Sequence, residues 1–139
     1  MTFKYRSVKR PDNTIVKAPQ IPMTIFGLEI IDTLALVDSG ADISAMSQQM
    51  AEILGINFSK KEINSAFGIG GEVKSVQTKI KVLIEQKHER YELDLPVKII
   101  LDKYEFPFLL GRIGFFDNFI ITFDQSKEKV MLKKMDAIY

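Results

Sequence analysis

The sequence predicts a mostly β domain, folded as a closed barrel-like sheet with one or two short helices. Two observations carry that expectation. Short runs rich in Val, Ile, Thr and Phe recur along the chain, and Gly, Pro, Asn and Asp punctuate them. Before the C-terminal third, a single stretch, SQQMAEILG, has its apolar residues at helical spacing. At 139 residues the chain is long enough to bury one core without staples.

The opening residues MTFKYRSVKRPDN lack the apolar core of a secretory signal. Lys4, Arg6, Lys9 and Arg10 there read as a solvated tail. After the turn residues Pro11-Asp12-Asn13, TIVKA reads as a short extended segment. IPMTIFGLEI and TLALV read as a hairpin turning at Ile31-Asp32, with Pro19 and Pro22 favouring a sheet edge for its first strand. In SQQMAEILG, Ser47 is the expected N-cap, Met50, Ile53 and Leu54 the core stripe, and Gly55 the stop. Residues 62–85 read as two strands around Gly68-Ile69-Gly70-Gly71, the second alternating through Val73, Val76, Ile80, Val82 and Ile84. QKHER is a polar turn, and YELDLPVKII is a strand containing Pro96. FPFLLGRIGFFDN is an apolar strand end followed by a compact segment, with a short helix expected over 112–116. FIITF and KVMLKK close the chain as a hairpin turning at DQSKE.

Composition narrows the chemistry. The formal net charge is +1, which points to neither nucleic acid nor an anionic membrane as a partner. No apolar run approaches the roughly 20 residues of a membrane-spanning helix, and a cytoplasmic protein is the expectation. With no cysteine there is no disulfide, thiolate metal site or cysteine nucleophile. The lone histidine, His88, sits in a polar turn, so neither a zinc site nor a Ser-His-Asp triad can be assembled. Asp117 and Asp124 flank FIITF and read as a turn cap and a hairpin turn. Phe106, Phe108, Phe115, Phe116 and Phe119 read as core and pocket walls, since no basic groove accompanies them for stacking nucleic acid.

Three stretches carry chemistry. In Ala35-Leu36-Val37-Asp38-Ser39-Gly40-Ala41-Asp42 an apolar strand ends on a carboxylate, and a rigid strand end suits a group that must be held in place. Gly40 allows a tight turn, Ser39 adds a small hydroxyl and Ala41 leaves room. A plain Asx turn explains the same residues, whereas a calcium loop fails because Gly40 stands at a ligand position. Phe67-Gly68-Ile69-Gly70-Gly71 lies between two strand patterns, which disfavours a phosphate-binding loop because no helix follows. It reads as a mobile flap or as an ordinary glycine turn. In Phe108-Leu109-Leu110-Gly111-Arg112 a glycine ends an apolar strand, and Arg112 is positioned to reach a carboxylate, with Asp42 the candidate.

The order Asp38-Ser39-Gly40-Ala41-Asp42, then a glycine-rich hairpin tip, then Leu109-Leu110-Gly111-Arg112 resembles the retropepsin-like aspartic proteases over residues 20–132. The resemblance implies a closed retropepsin fold over residues 20–139, preceded by an N-terminal extension, 1–19. It implies that Asp38 is the catalytic aspartate, that the Ser39 hydroxyl bonds across a dimer, and that Gly40, Ala41 and Asp42 border the substrate. Gly68, Ile69, Gly70 and Gly71 correspond to a flap, while Gly111 and Arg112 support the site, Arg112 by pairing with Asp42. The implied partners are a second copy of the chain and a peptide or protein substrate, with no metal or cofactor. Three departures stand out: Ser39 for the commoner Thr, Ile113 where Asn or Asp is usual, and Glu72 beside the flap tip. The C-terminal hairpin is similar to cellular and bacterial members rather than viral ones.

Hydrolysis by carboxylates needs two of them, one accepting a proton from water and one donating a proton to the carbonyl. The chain contains one Asp-Ser-Gly, so a homodimer is expected to bring two Asp38 side chains together on a two-fold axis. The charge at Glu72 and the apolar Ile113 motivate an alternative, a non-catalytic dimeric peptide-binding module of the same fold. A self-processing domain of a larger assembly is a further alternative.

Overall fold

A computed structural model describes residues 1–68 and 71–136. The chain forms β1 (Thr2–Lys4), β2 (Arg6–Lys9), β3 (Ile15–Ala18), β4 (Gln20–Phe26), β5 (Ile30–Val37) and β6 (Ser44–Ser47). Helix α1 (Gln48–Ile53) follows, then β7 (Ile63–Gly68), β8 (Gly71–Gln86), β9 (Glu89–Ile100) and β10 (Phe108–Leu110). A single 3-10 turn (Phe116–Asn118) leads into β11 (Phe119–Asp124) and β12 (Lys129–Lys134).

The main sheet runs in the order β4-β5-β10-β6-β9-β8-β7, and β4 also pairs with β8, which closes the sheet into a ring. The fold is therefore mostly β with one short helix, as the strand patterns predict. Alternation fills the ring's interior: Ile21, Met23 and Ile25 of β4, Ala35 and Val37 of β5, and Leu93, Leu95, Val97 and Ile99 of β9 are all buried. Phe108, Leu110 and Phe115 are fully buried in the same core.

Several expectations are corrected. The β4–β5 hairpin turns at residues 27–29, not at Ile31-Asp32, which stay paired with Ile25 and Thr24. The tip is fixed there because the Leu28 N–H donates to the Leu54 carbonyl at 3.0 Å, hooking it onto the end of α1. β4 is also not a simple edge. Its second half, Thr24–Phe26, pairs with β8, and Pro22, which lacks an N–H, lies in the half that does not. In α1 the buried residues are Ala51 and, just past its end, Leu54, whereas Ile53 is 55% exposed. Val73 likewise lies outside the core, on the exposed arm of the β7–β8 hairpin.

No helix forms over 112–116. Gly114 takes φ +89, which interrupts right-handed helix, and its α-carbon lies so near Pro96 that a Cβ would stand 2.8 Å from Pro96 Cδ. The basic N-terminus is not a free tail either. Its four cations are exposed, but β1 pairs with β12, β2 with β3, and Phe3 and Tyr5 are buried in the core.

Helix α1 has a working N-cap: Ser47 Oγ accepts the Met50 N–H at 3.1 Å. Ser47→Ala is expected to cost about 1 kcal/mol, read as a lower midpoint in urea unfolding with an unchanged slope.

Candidate active site

β5 delivers Asp38 from a buried base. Ala35 and Val37 point into the core, Leu36 lies half-buried on the other face, and the strand ends one residue before the acid. Three hydrogen bonds then fix the turn. The Asp38 N–H donates to the Leu110 carbonyl at 3.0 Å, Asp38 Oδ1 accepts the Gly40 N–H at 2.9 Å, and the Ala41 N–H donates to the Asp38 carbonyl at 3.3 Å. The Asx turn and the presented carboxylate are thus the same object. One oxygen of Asp38 is spent on the backbone, and the residue remains half-exposed, while Ser39, Gly40 and Asp42 are exposed and Ala41 is half-buried.

β10 is what ties this turn down. It lies between β5, to which it is parallel (Phe108 beside Ala35, Leu110 beside Val37), and β6, to which it is antiparallel (Leu109 beside Ala45). Beyond β10 the chain crosses the Asp38–Asp42 loop closely. The Arg112 N–H donates to the Ala41 carbonyl and the Ile113 N–H to the Asp42 carbonyl, both at 2.8 Å. At the crossing, Gly111 has no room for a side chain: a Cβ would stand 2.6 Å from the Ile43 carbonyl carbon and 2.8 Å from the Ser44 nitrogen.

Sequence reasoning missed two residues here. Ser44 is fully buried, and its Oγ accepts the Gly111 N–H at 3.0 Å. Its only sequence signal is a small hydroxyl standing among Ile43, Ala45 and Met46. Ser44→Ala leaves the Gly111 N–H buried without a partner and is expected to cost about 1–3 kcal/mol, measurable by chemical denaturation. The other residue is Lys98, whose Nζ lies 3.9 Å from Asp42 Oδ1. It is far away in sequence, and the parallel register of β6 with β9, Ala45 beside Lys98, brings it close.

The expected Arg112–Asp42 ion pair does not form among the described residues. Asp42 is 61% exposed and spends Oδ1 on the Ile43 N–H at 2.9 Å, so it is not the buried charge that would demand an arginine. Arg112 contributes its backbone to the crossing, and its side chain is exposed.

The β7–β8 hairpin forms where the strand patterns place it, paired from Ile63 beside Val76 to Gly68 beside Gly71. Gly71 has φ +107, a conformation that favours glycine, and Phe67 is 86% exposed. Ile69 and Gly70, expected at the tip, lie outside the described residues. At the base of the hairpin a pocket of about 270 Å³ is lined by Asn64, Ser65, Ala66, Ser75, Gln77 and Lys98. Among the described residues no three acidic or histidine side chains gather to hold a metal ion, and no helix is long and apolar enough to cross a membrane.

The family model described as aspartyl protease matches residues 21–112, from β4 through the crossing at Arg112. The fold is similar to that of a retropepsin-like aspartic protease from Rickettsia conorii, with a TM-score of 0.62 and 17% identity over 94% of this chain and 97% of that one. The EIAV protease in complex with an inhibitor gives a TM-score of 0.48 and 22% identity over 69% of this chain and 83% of that one. No curated protein sequence matches. The family model spans well over half of the chain, and the chain therefore belongs to the aspartyl protease family, as a peptidase with the retropepsin-like fold.

Proposed function

We propose that the chain is an endopeptidase that works as a homodimer, with Asp38 of each copy forming one catalytic pair. The carrying observation is that Asp38 is held at a strand end by the Leu110 carbonyl and the Gly40 N–H, half-exposed, with one carboxylate oxygen uncommitted among the described residues. Such an acid is placed for chemistry, yet it is half of what the chemistry needs.

Two carboxylates about 3 Å apart cannot both ionise, so the pair shares a proton and titrates as a unit. The ionised member accepts a proton from the attacking water while the protonated one donates to the carbonyl oxygen. Water adds directly to the carbonyl, so no covalent enzyme intermediate forms. The Gly40 N–H, donating to Asp38 Oδ1, holds the carboxyl group in place. The Ser39 hydroxyl is available to bond across the dimer. The substrate is an extended peptide lying β-fashion between the Asp38 turn and the β7–β8 hairpin, with Gly40, Ala41, Asp42 and Gly68 to Gly71 along its path.

The test is digestion of a peptide library by wild type and Asp38→Asn between about pH 4 and 7, a range that brackets where such a pair can hold one proton. Cleavage by wild type that vanishes in the variant supports the proposal. Equal cleavage by both removes Asp38 from the mechanism.

A further inference from the structure

The register of the sheet assembles a row of side chains that the catalytic turn does not use. Leu36 of β5 lies beside Leu109 of β10, Leu109 beside Ala45 of β6, Ala45 beside Lys98 of β9, and Lys98 beside Gln77 of β8. Residues paired across a sheet share a face. Their chain neighbours Val37, Leu110, Met46, Val97, Ile99 and Val76 are buried, so this row faces outward. Asp38 follows Leu36 by two residues and stands at the end of the same face. The row is therefore a floor running from the Asp38 turn to the pocket at the base of the β7–β8 hairpin.

Along this floor the chemistry changes. Leu36, Leu109 and Ala45 are apolar, whereas the pocket beyond them is polar, and Lys98 is its one cation. Lys98 is 35% exposed, and among the described residues the one carboxylate within 4 Å of it, Asp42, is at 3.9 Å, too far for a hydrogen bond. Among the described residues the side chains of Asn64, Ser65, Gln77 and Lys98 make no hydrogen bonds with one another or with other groups. A half-buried ammonium beside exposed amide and hydroxyl side chains with free donors is matched by a carboxylate that brings several acceptor oxygens.

Resting on the peptidase reading, we infer that Lys98 is a specificity determinant, and that the pocket it shares with Asn64, Ser65 and Gln77 selects an acidic side chain of the substrate. Three strand spacings separate Leu36 from Lys98, about 14 Å. The acidic residue thus lies about four positions from the scissile bond, counting at about 3.3 Å per extended residue. Ala45, the small residue between Leu109 and Lys98, leaves space for it to reach down.

The experiment separates this inference from the peptidase reading. A randomised octapeptide library is bound to immobilised Asp38→Asn protein, which holds peptides without cutting them, and to the same variant carrying Lys98→Glu. Asp and Glu are expected to be enriched about fivefold or more over Lys at one position, and Lys98→Glu is expected to reverse the order, since it replaces attraction by repulsion. Equal enrichment by the two proteins, no acidic preference, or no peptide binding overturns the inference. The same library is then digested by wild type. If no peptide is cut although Lys98→Glu reverses the binding preference, the peptidase reading fails and the subsite stands. If peptides are cut without acidic preference, the subsite fails and the peptidase stands.

Discussion

Asp38→Asn is expected to lower peptide cleavage by about a thousandfold or more while leaving the folded state nearly as stable as wild type. The two halves of that expectation come from different atoms of one side chain. Asn retains an Oδ1 that can accept the Gly40 N–H, now held at 2.9 Å, and the backbone bond from Asp38 to Leu110 does not depend on the side chain. The turn should therefore persist, with a stability change within about 0.5 kcal/mol. What is lost is the group that can share and pass a proton. A mixing experiment separates a shared pair from a self-sufficient subunit. At constant total protein, an equilibrated equal mixture of wild type and Asp38→Asn keeps about one quarter of full activity if one intact carboxylate from each copy is required, because about a quarter of dimers pair two wild-type chains. It keeps about one half if each chain acts alone. The second outcome would end the homodimeric mechanism even if the acid itself proved essential.

The legible parts of this molecule are those in which a local rule and the global fold agree. Ser47 and Gly55 bracket α1 because capping is decided within one turn of chain. The Asp38 turn is legible because its partner atoms, the Asp38 carboxylate and the Gly40 N–H, are two residues apart. The strand of residues 71–86 and its return through Lys87-His88 are legible from alternation and turn chemistry.

The illegible parts depend on which distant strand lies alongside. The β4–β5 turn slips from Ile31-Asp32 to residues 27–29 because Leu28 bonds the end of α1, a tertiary contact that no local pattern encodes. A 3-10 turn forms at Phe116–Asn118 instead of a helix over 112–116, because Gly114 takes φ +89 and passes close to Pro96 on β9. Arg112 and Asp42 are opposite charges on adjoining segments, which made an ion pair reasonable. The loop instead leaves Asp42 in solvent, so nothing compels the arginine to meet it, and Lys98 arrives from β9. Ser44 is illegible for the same reason: its importance lies in the Gly111 N–H, supplied just beyond β10, 67 residues away.

Gly111→Ala is expected to be the most destabilising single-methyl change in the site, costing about 3 kcal/mol or more. The reason is space, since the atoms that the new Cβ would meet are all backbone: the Ile43 carbonyl carbon at 2.6 Å, its oxygen at 2.8 Å and the Ser44 nitrogen at 2.8 Å. A flexible side chain could swing aside, but these atoms cannot move without the loop that carries Asp42. Restoring ordinary van der Waals spacing means opening the crossing by most of an ångström, which strains the Arg112–Ala41, Ile113–Asp42 and Gly111–Ser44 hydrogen bonds together. Overpacking alone typically costs 1–3 kcal/mol, and each weakened bond adds about 1 kcal/mol. Against a domain stability of about 5–15 kcal/mol that is a large fraction. Urea unfolding of the pure variant gives the cost directly. Cleavage assayed at a temperature where the variant remains folded should also fall, because Leu110, one residue before the crossing, supplies the carbonyl that holds the Asp38 N–H. A variant within about 0.5 kcal/mol of wild type and fully active would mean that the crossing opens freely, and that Asp38 is positioned by β5 and the Gly40 N–H alone.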